Sequence, residues 1–136
     1  MEQKIEDVGL LHALNKSSGA ISLHIPWDIP QNVEKIKELA NSFGLVFDAV
    51  NSNTFQDQPE QEYSYKFGSL HHVDPNMRKQ AIEHNIEVIK QGIALGSKSI
   101  TVWLADGSSF PGQLNFREAF QHTLSSLQEI YKYLPE

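Results

Sequence analysis

Three short stretches of this 136-residue chain gather residue types that can do chemistry. "LHIPWD" (Leu23 to Asp28) places His24 just ahead of Trp27 and Asp28. "DAVNSNTF" (Asp48 to Phe55) offers Asn51 and Asn53 ahead of Phe55. "TVWLADGSSFPGQ" (Thr101 to Gln113) carries Trp103, Asp106 and a rigid Phe-Pro-Gly turn. A histidine titrates near neutrality, so His24 can exchange a proton with a hydroxyl group when a carboxylate orients it. The flat rings of Trp27, Phe55 and Trp103 can lie on the C–H face of a sugar while the amides of Asn51 and Asn53 bind its hydroxyls. Each residue also has a plainer use. The histidine can cap backbone carbonyls, aromatic rings near apolar strands are usually core, and Asn suits turns because it tolerates their geometry. The composition shared by the three stretches tips the reading toward a polyol site.

Other groupings lead nowhere chemical. His71-His72 with Asp74 suggests a metal, but adjacent side chains point differently and no third ligand is placed, so a solvated loop feeding a helix cap is expected. His84, in "EHNIE", does not complete the HExxH pattern, and neither GxxxxGK nor GxGxxG occurs. Ser108 and Ser109 lack a GxSxG elbow and read as turn residues. Asp106 is expected to bond the turn's backbone N–H groups rather than to act catalytically. Asp57, Glu60 and Glu62 fall in a loop and are not promoted to metal ligands.

The elements that must position these residues follow from periodicity and breakers. Ala20 to His24 is an apolar, β-branched run after Ser-Ser-Gly and reads as a strand. Gln31 to Phe43 spaces Val33, Ile36, Leu39, Ala40 and Phe43 by threes and fours, which predicts a helix closed by Gly44. Leu45 to Val50 is a second strand. Residues 51 to 73 are polar and longer than an ordinary connector, which marks a functional loop. Asp74-Pro75 then opens a helix: the Asp oxygen caps free N–H groups, and Pro gives up a donor that was unpaired anyway. Met77, Ala81, Ile82, Ile86, Ile89 and Ile93 are its expected buried stripe, and Gly96 ends it. Ser99 to Leu104 is a third strand. Phe116, Phe120, Leu124, Leu127, Ile130 and Leu134 are the expected core face of a last helix, stopped by Pro135. Ile5 to Asn15 forms a first helix with Val8, Leu11 and His12 on one face. Alternating strands and helices imply an α/β fold with a parallel sheet, whose ligand site is expected at the strands' carboxyl ends. Three strands leave both sheet edges open.

Bulk properties narrow the classes. The length allows one domain, 1–136, with a real core. Eleven basic against 17 acidic residues give a net charge of −6, which argues against a nucleic-acid or anionic-membrane surface. No cysteine is present, so disulfides, thiolate metal sites and a cysteine nucleophile are excluded. The amino terminus lacks the apolar run of a signal peptide and no segment approaches a membrane span, so a cytoplasmic location is expected.

"SLHIPWD" (Ser22 to Asp28), "GLVFDAVNSNTF" (Gly44 to Phe55), "SYKFGSLHH" (Ser64 to His72), "GSKSITVWLADGSSFPGQ" (Gly96 to Gln113) and "EIYKYLPE" (Glu129 to Glu136) resemble L-rhamnose isomerase. The likeness is to the bacterial branch with broad sugar specificity, in the xylose-isomerase-like TIM-barrel superfamily, and covers nearly the whole chain. It implies a partial (β/α)8 barrel, roughly strands two to four, of an enzyme that interconverts L-rhamnose and L-rhamnulose with manganese or another divalent metal. It implies that His24 contacts the sugar near its ring oxygen or assists ring opening, and that Trp27, Phe55 and Trp103 wall the pocket. The family's metal ligands come from later strands, so no metal ligand is assigned here and the isolated chain is expected to be inactive. The implied partners are an aldose or ketose sugar and either the remainder of the barrel or further copies, since family enzymes oligomerise. Two other readings stay open: a non-catalytic partial barrel that closes its edges by self-association or with a complementary fragment, and a sugar epimerase on the same barrel.

Overall fold

The computed structural model describes residues 1–105, 107–108 and 110–135, so Asp106, Ser109 and Glu136, with the turn role expected of Asp106 and Ser109, lie outside the described residues. The elements run α1 (Glu2–Asn15), β1 (Ala20–His24), α2 (Val33–Ser42), β2 (Val46–Asn51), α3 (Pro75–Leu95), β3 (Ile100–Thr101) and α4 (Phe116–Tyr131). The chain divides into two compact units, one of residues 1–51 and 90–101, the other of residues 52–89 and 102–136.

The first unit is built on a parallel three-stranded sheet in the order β1-β2-β3. Its register pairs His24 with Asn51 and Asn51 with Thr101. Parallel neighbours cannot be joined by a tight turn, so each connection needs a crossover, as the strand-helix alternation implied. Along β1, Ile21 and Leu23 are buried while Ala20 and Ser22 are exposed, the period-two pattern of a sheet covered on one face. Ile5, Ile36, Ala40, Leu45, Val50 and Leu95 complete an aliphatic core. Helix α2 begins where the Asn32 side chain accepts the Lys35 N–H at 3.0 Å. Gly44 and Gly96 follow α2 and α3 at φ 70° and 81°, a left-handed conformation that glycine adopts without a Cβ penalty.

Sequence periodicity identified the helices but not always the face they bury. In α1 the buried residues are Ile5 and Gly9, whereas Leu10, Leu11 and Leu14 are exposed. Gly9 is buried because the Phe43 ring lies on it: a Cβ there would sit 2.5 Å from that ring's Cγ. In α3 the buried stripe is Ala81, Asn85, Val88, Ile89, Gly92 and Leu95, and Ile93 is exposed. Helix α4, in the second unit, differs most. It buries Ala119, Ser126 and Ile130, while Phe116, Phe120, Leu124, Leu127 and Leu134 from the expected core face are all exposed. Small side chains allow close approach, so Ala119 and Ser126 seat the helix and the bulky stripe beside them is left outward. The third strand is also shorter than Ser99 to Leu104. After Thr101 the backbone bonds to hydroxyl side chains, and only a single bridge, Thr54 to Leu104, resumes the pairing in the second unit.

Because the Phe43 ring occupies the space a Cβ at Gly9 would need, Gly9→Ala is expected to destabilise by about 1–2 kcal/mol despite its better helix propensity. In a Phe43→Leu background the same substitution should become neutral or stabilising. Urea unfolding of the four proteins checks the reversal of sign.

Candidate functional site

In the first unit His24 closes β1 and enters the turn Ile25–Asp28, whose Ile25–Pro26 peptide bond is cis. The backbone is tied on both sides of the histidine. The Asp28 Oδ2 atom accepts the His24 N–H at 2.9 Å and the Lys4 ammonium at 2.6 Å, and the Asp28 N–H donates back to the His24 carbonyl at 2.9 Å. From β2, the Asn51 carbonyl accepts the Ile25 N–H and the Asn51 amide donates to the Leu23 carbonyl, each at 2.9 Å. Asp28 therefore fixes the main chain that carries His24. Asn51 likewise commits one amide N–H to the strand. The half-buried imidazole packs on Trp27 with centroids 4.7 Å apart, and the indole is 52% exposed. A larger cavity of this unit, about 720 Å³ between Met1, Glu6, Ile29, Asn32 and Lys35, is lined by neither His24 nor Trp27.

The second unit carries Asn53, Phe55 and Trp103. Phe55 and Trp103 form a tilted ring pair with centroids 5.9 Å apart, and Trp103 is 49% exposed. The tryptophan's main chain is held at both ends: its N–H donates to Ser52 Oγ at 3.3 Å and its carbonyl accepts the Thr54 hydroxyl. The next link is the Ala105 N–H, shared between the Thr54 carbonyl at 3.0 Å and Ser69 Oγ at 3.3 Å. Ser52, Thr54 and Ser69 are fully buried. Asn53 is buried too, at 1% exposure. Its N–H donates to His84 Nε2 at 2.9 Å, yet both polar atoms of its side chain have no hydrogen-bond partner among the described residues. A buried amide left unpaired costs about 1–3 kcal/mol and wants both a donor and an acceptor, which a hydroxyl supplies.

The long loop is ordered by its own polar groups. Asp57 Oδ1 accepts the Tyr65 N–H at 2.6 Å and the Gln61 amide at 3.3 Å. Hydrogen bonds from Ser64 and from the Tyr65 backbone hold its carboxyl below the ordinary carboxylate range. Burial pushes the Tyr65 phenol up. With Phe55, Gln56, Lys66, Ala105 and Gly107, these two residues line a cavity of about 360 Å³.

Periodicity and motifs alone did not reveal His84 and Gln80. Both bind backbone groups distant in sequence, and nothing in the spacing of α3 announces that. His71 and His72 are buried rather than in a solvated loop, and His72 Nδ1 accepts the Asp74 N–H at 2.9 Å. The expected helix cap is present, with Asp74 Oδ1 accepting the Asn76 N–H at 2.8 Å. Among the described residues, no three His, Cys, Asp or Glu side chains are grouped to hold a metal ion, and no helix is long and apolar enough to cross a membrane.

No family model matches the sequence. The chain is 52% identical over 133 residues, 98% of its length, to a protein of Rhizobium meliloti (strain 1021) named a probable sugar isomerase, covering 31% of that protein. It is 51% identical over 132 residues to another so named from Mesorhizobium japonicum, covering 30% of it. The chain thus spans about a third of the length of the curated relatives it matches. Among solved structures it is similar to a D-psicose 3-epimerase from Clostridium cellulolyticum H10 in complex with D-tagatose, with a TM-score of 0.67 at 17% identity. It is also similar to a D-psicose 3-epimerase determined in the presence of D-fructose, with a TM-score of 0.68 at 12% identity. Each match covers 97% of this chain and 42% of the other. The fold is therefore α/β with three parallel strands, as the strand-helix alternation implied, and part of a TIM barrel, as the resemblance implied.

Asn53→Leu, which removes the unpaired amide at similar volume, is expected to leave stability unchanged or to raise it by about 1 kcal/mol in urea unfolding. The Asp57 network gives a pH dependence with a definite sign. Its folded value is depressed, so its contribution is complete above the ordinary value of 3.8 and is lost as pH falls through the lower folded value. Amide-exchange protection of Tyr65 should be level from about pH 8 to 5 and fall below about pH 4. Asp57→Asn should weaken it at every pH.

Proposed function

We propose that this chain is the part of a sugar isomerase that grips the sugar, and that the reaction is the interconversion of L-rhamnose and L-rhamnulose. The observation that carries the reaction class is the 52% identity, along 98% of the chain, to a probable sugar isomerase. L-Rhamnose is the finer choice, supported by the motifs around His24, Phe55 and Trp103. In the first unit, His24 exchanges a proton with a sugar hydroxyl near the ring oxygen and Trp27 backs its ring. In the second, Phe55 and Trp103 present aromatic faces to the sugar's C–H groups; Asn53, buried at 1% exposure, would reach a hydroxyl only if its surroundings opened.

An aldose-ketose isomerase of this kind uses manganese or a similar divalent ion to polarise the sugar oxygens. The described residues here do not fit that role, having no grouped ligand set. No step through the metal is derived from this chain, and the ligands are assigned to the remainder of such a barrel. The exposed apolar stripe of α4 is the face on which we place that remainder, and without it the chain is inactive. The two epimerase structures share only the fold at 17% and 12% identity, so they do not favour epimerisation.

The test supplies what is missing. The chain is co-expressed with the part of the Rhizobium meliloti relative that lies outside the match, and manganese and L-rhamnose are added. Turnover to L-rhamnulose is expected, falling by about 10²–10⁴-fold with His24→Ala. A folded complex with no turnover, or turnover indifferent to His24→Ala, contradicts the proposal.

A further inference from the structure

Helix α3 reaches residue 63 of the long loop through the side chain of Gln80. Gln80 Oε1 accepts the Tyr63 N–H at 3.0 Å, and Gln80 Nε2 donates to the Tyr63 carbonyl at 2.9 Å. The amide thus pairs with both backbone groups of one residue, as a neighbouring strand would. Inside the loop, Gln61 donates to the same Tyr63 carbonyl, and its Oε1 accepts the Gln58 N–H at 3.2 Å. Asp57 closes the loop at its base by accepting the Tyr65 N–H at 2.6 Å. The conformation held in this way is not a relaxed one. Glu60 stands at φ 65°, a left-handed conformation that costs a residue with a Cβ. Gln80, half-buried on α3, holds residue 63 from outside the loop.

The position of this loop matters because Asp57, Tyr65 and Lys66 line the cavity of about 360 Å³ that Phe55 also lines. To the cavity lining the loop gives one anionic side chain, Asp57, and one cationic, Lys66, a balanced pair that suits an uncharged polyol better than a sugar phosphate. We propose that Gln80 is a specificity-determining positioning residue: by clamping Tyr63 it sets the loop 57–66 as a wall of the Phe55 cavity, and that wall favours neutral sugars over sugar phosphates. The inference rests on the sugar-isomerase reading. Gln80 touches no substrate and acts through the loop.

Three variants of the full chain test it: Gln80→Met, which loses both amide bonds; Gln80→Glu, which keeps an acceptor for the Tyr63 N–H; and Ser125→Ala, a surface control on α4. Amide exchange is read at Tyr63, Tyr65 and, as a reference in α4, Ile130. L-Rhamnose and D-glucose 6-phosphate are titrated by NMR. With Gln80→Met, exchange at Tyr63 and Tyr65 should quicken by about tenfold or more while Ile130 is unchanged, as the loss of two hydrogen bonds predicts. Affinity for L-rhamnose should fall by a similar factor, and the preference over the phosphate should shrink. Gln80→Glu should fall between Gln80→Met and the wild type at Tyr63, and Ser125→Ala should match the wild type throughout.

Unchanged exchange at Tyr63 in Gln80→Met overturns the clamp. Faster exchange with unaltered affinity and preference overturns the selecting role and leaves Gln80 a purely structural residue. A wild-type chain that binds neither sugar overturns the selection claim through the functional reading, while the exchange data still decide the clamp.

Discussion

The hydrogen bonds that run from Ser52 and Thr54 to Trp103 and Ala105 are the constraint on which the second unit depends. Two buried hydroxyl groups and one carbonyl bind both backbone polar groups of Trp103 and the N–H of Ala105. Backbone groups removed from water must be paired, so this stretch has little freedom to move without leaving several groups unsatisfied. The indole it carries is nevertheless half exposed. A rigid main chain carrying an open aromatic ring loses little entropy when a ligand settles on that ring, which is what a recognition surface requires.

The two units spend their interiors differently. Every buried polar residue among the described ones, from Ser52 to Ser126, lies in the second unit, whereas the buried core of the first is aliphatic. An aliphatic core stabilises without direction, as suits a sheet that only has to hold His24 at a strand end. Buried polar groups specify one arrangement and lose stability wherever pairing is incomplete. The unpaired amide of Asn53 is such a place.

The legibility of this fold in its sequence follows the same division. Helices and strands could be read from period and punctuation, and Gly44, Gly96 and Asp74-Pro75 mark real ends because their backbone roles are local. The buried face of a helix is not local. In α4 the apolar arc is wider than the surface covered, so Phe116 and Phe120 resemble core residues by pattern yet stand in solvent, while Ala119 and Ser126 carry the packing. The ladder after Thr101 could not be read either, because serine and threonine hydroxyls take over from strand pairing. Aromatic and polar strand ends pointed to His24, Trp27, Phe55 and Trp103 as residues of interest. The tasks of Asp28, His84 and Gln80 were invisible, since each is defined by a backbone group it meets only after folding.

On the proposed function, the Trp103 ring, beside Phe55, takes the sugar. A Trp27→Phe chain leaves Trp103 as the sole tryptophan, and titration of its fluorescence with L-rhamnose tests the claim most directly. A saturable change in emission that is weakened by Phe55→Ala in a stably folded chain is the predicted result. An indole that ignores the sugar, or a response that Phe55→Ala leaves intact, would contradict it.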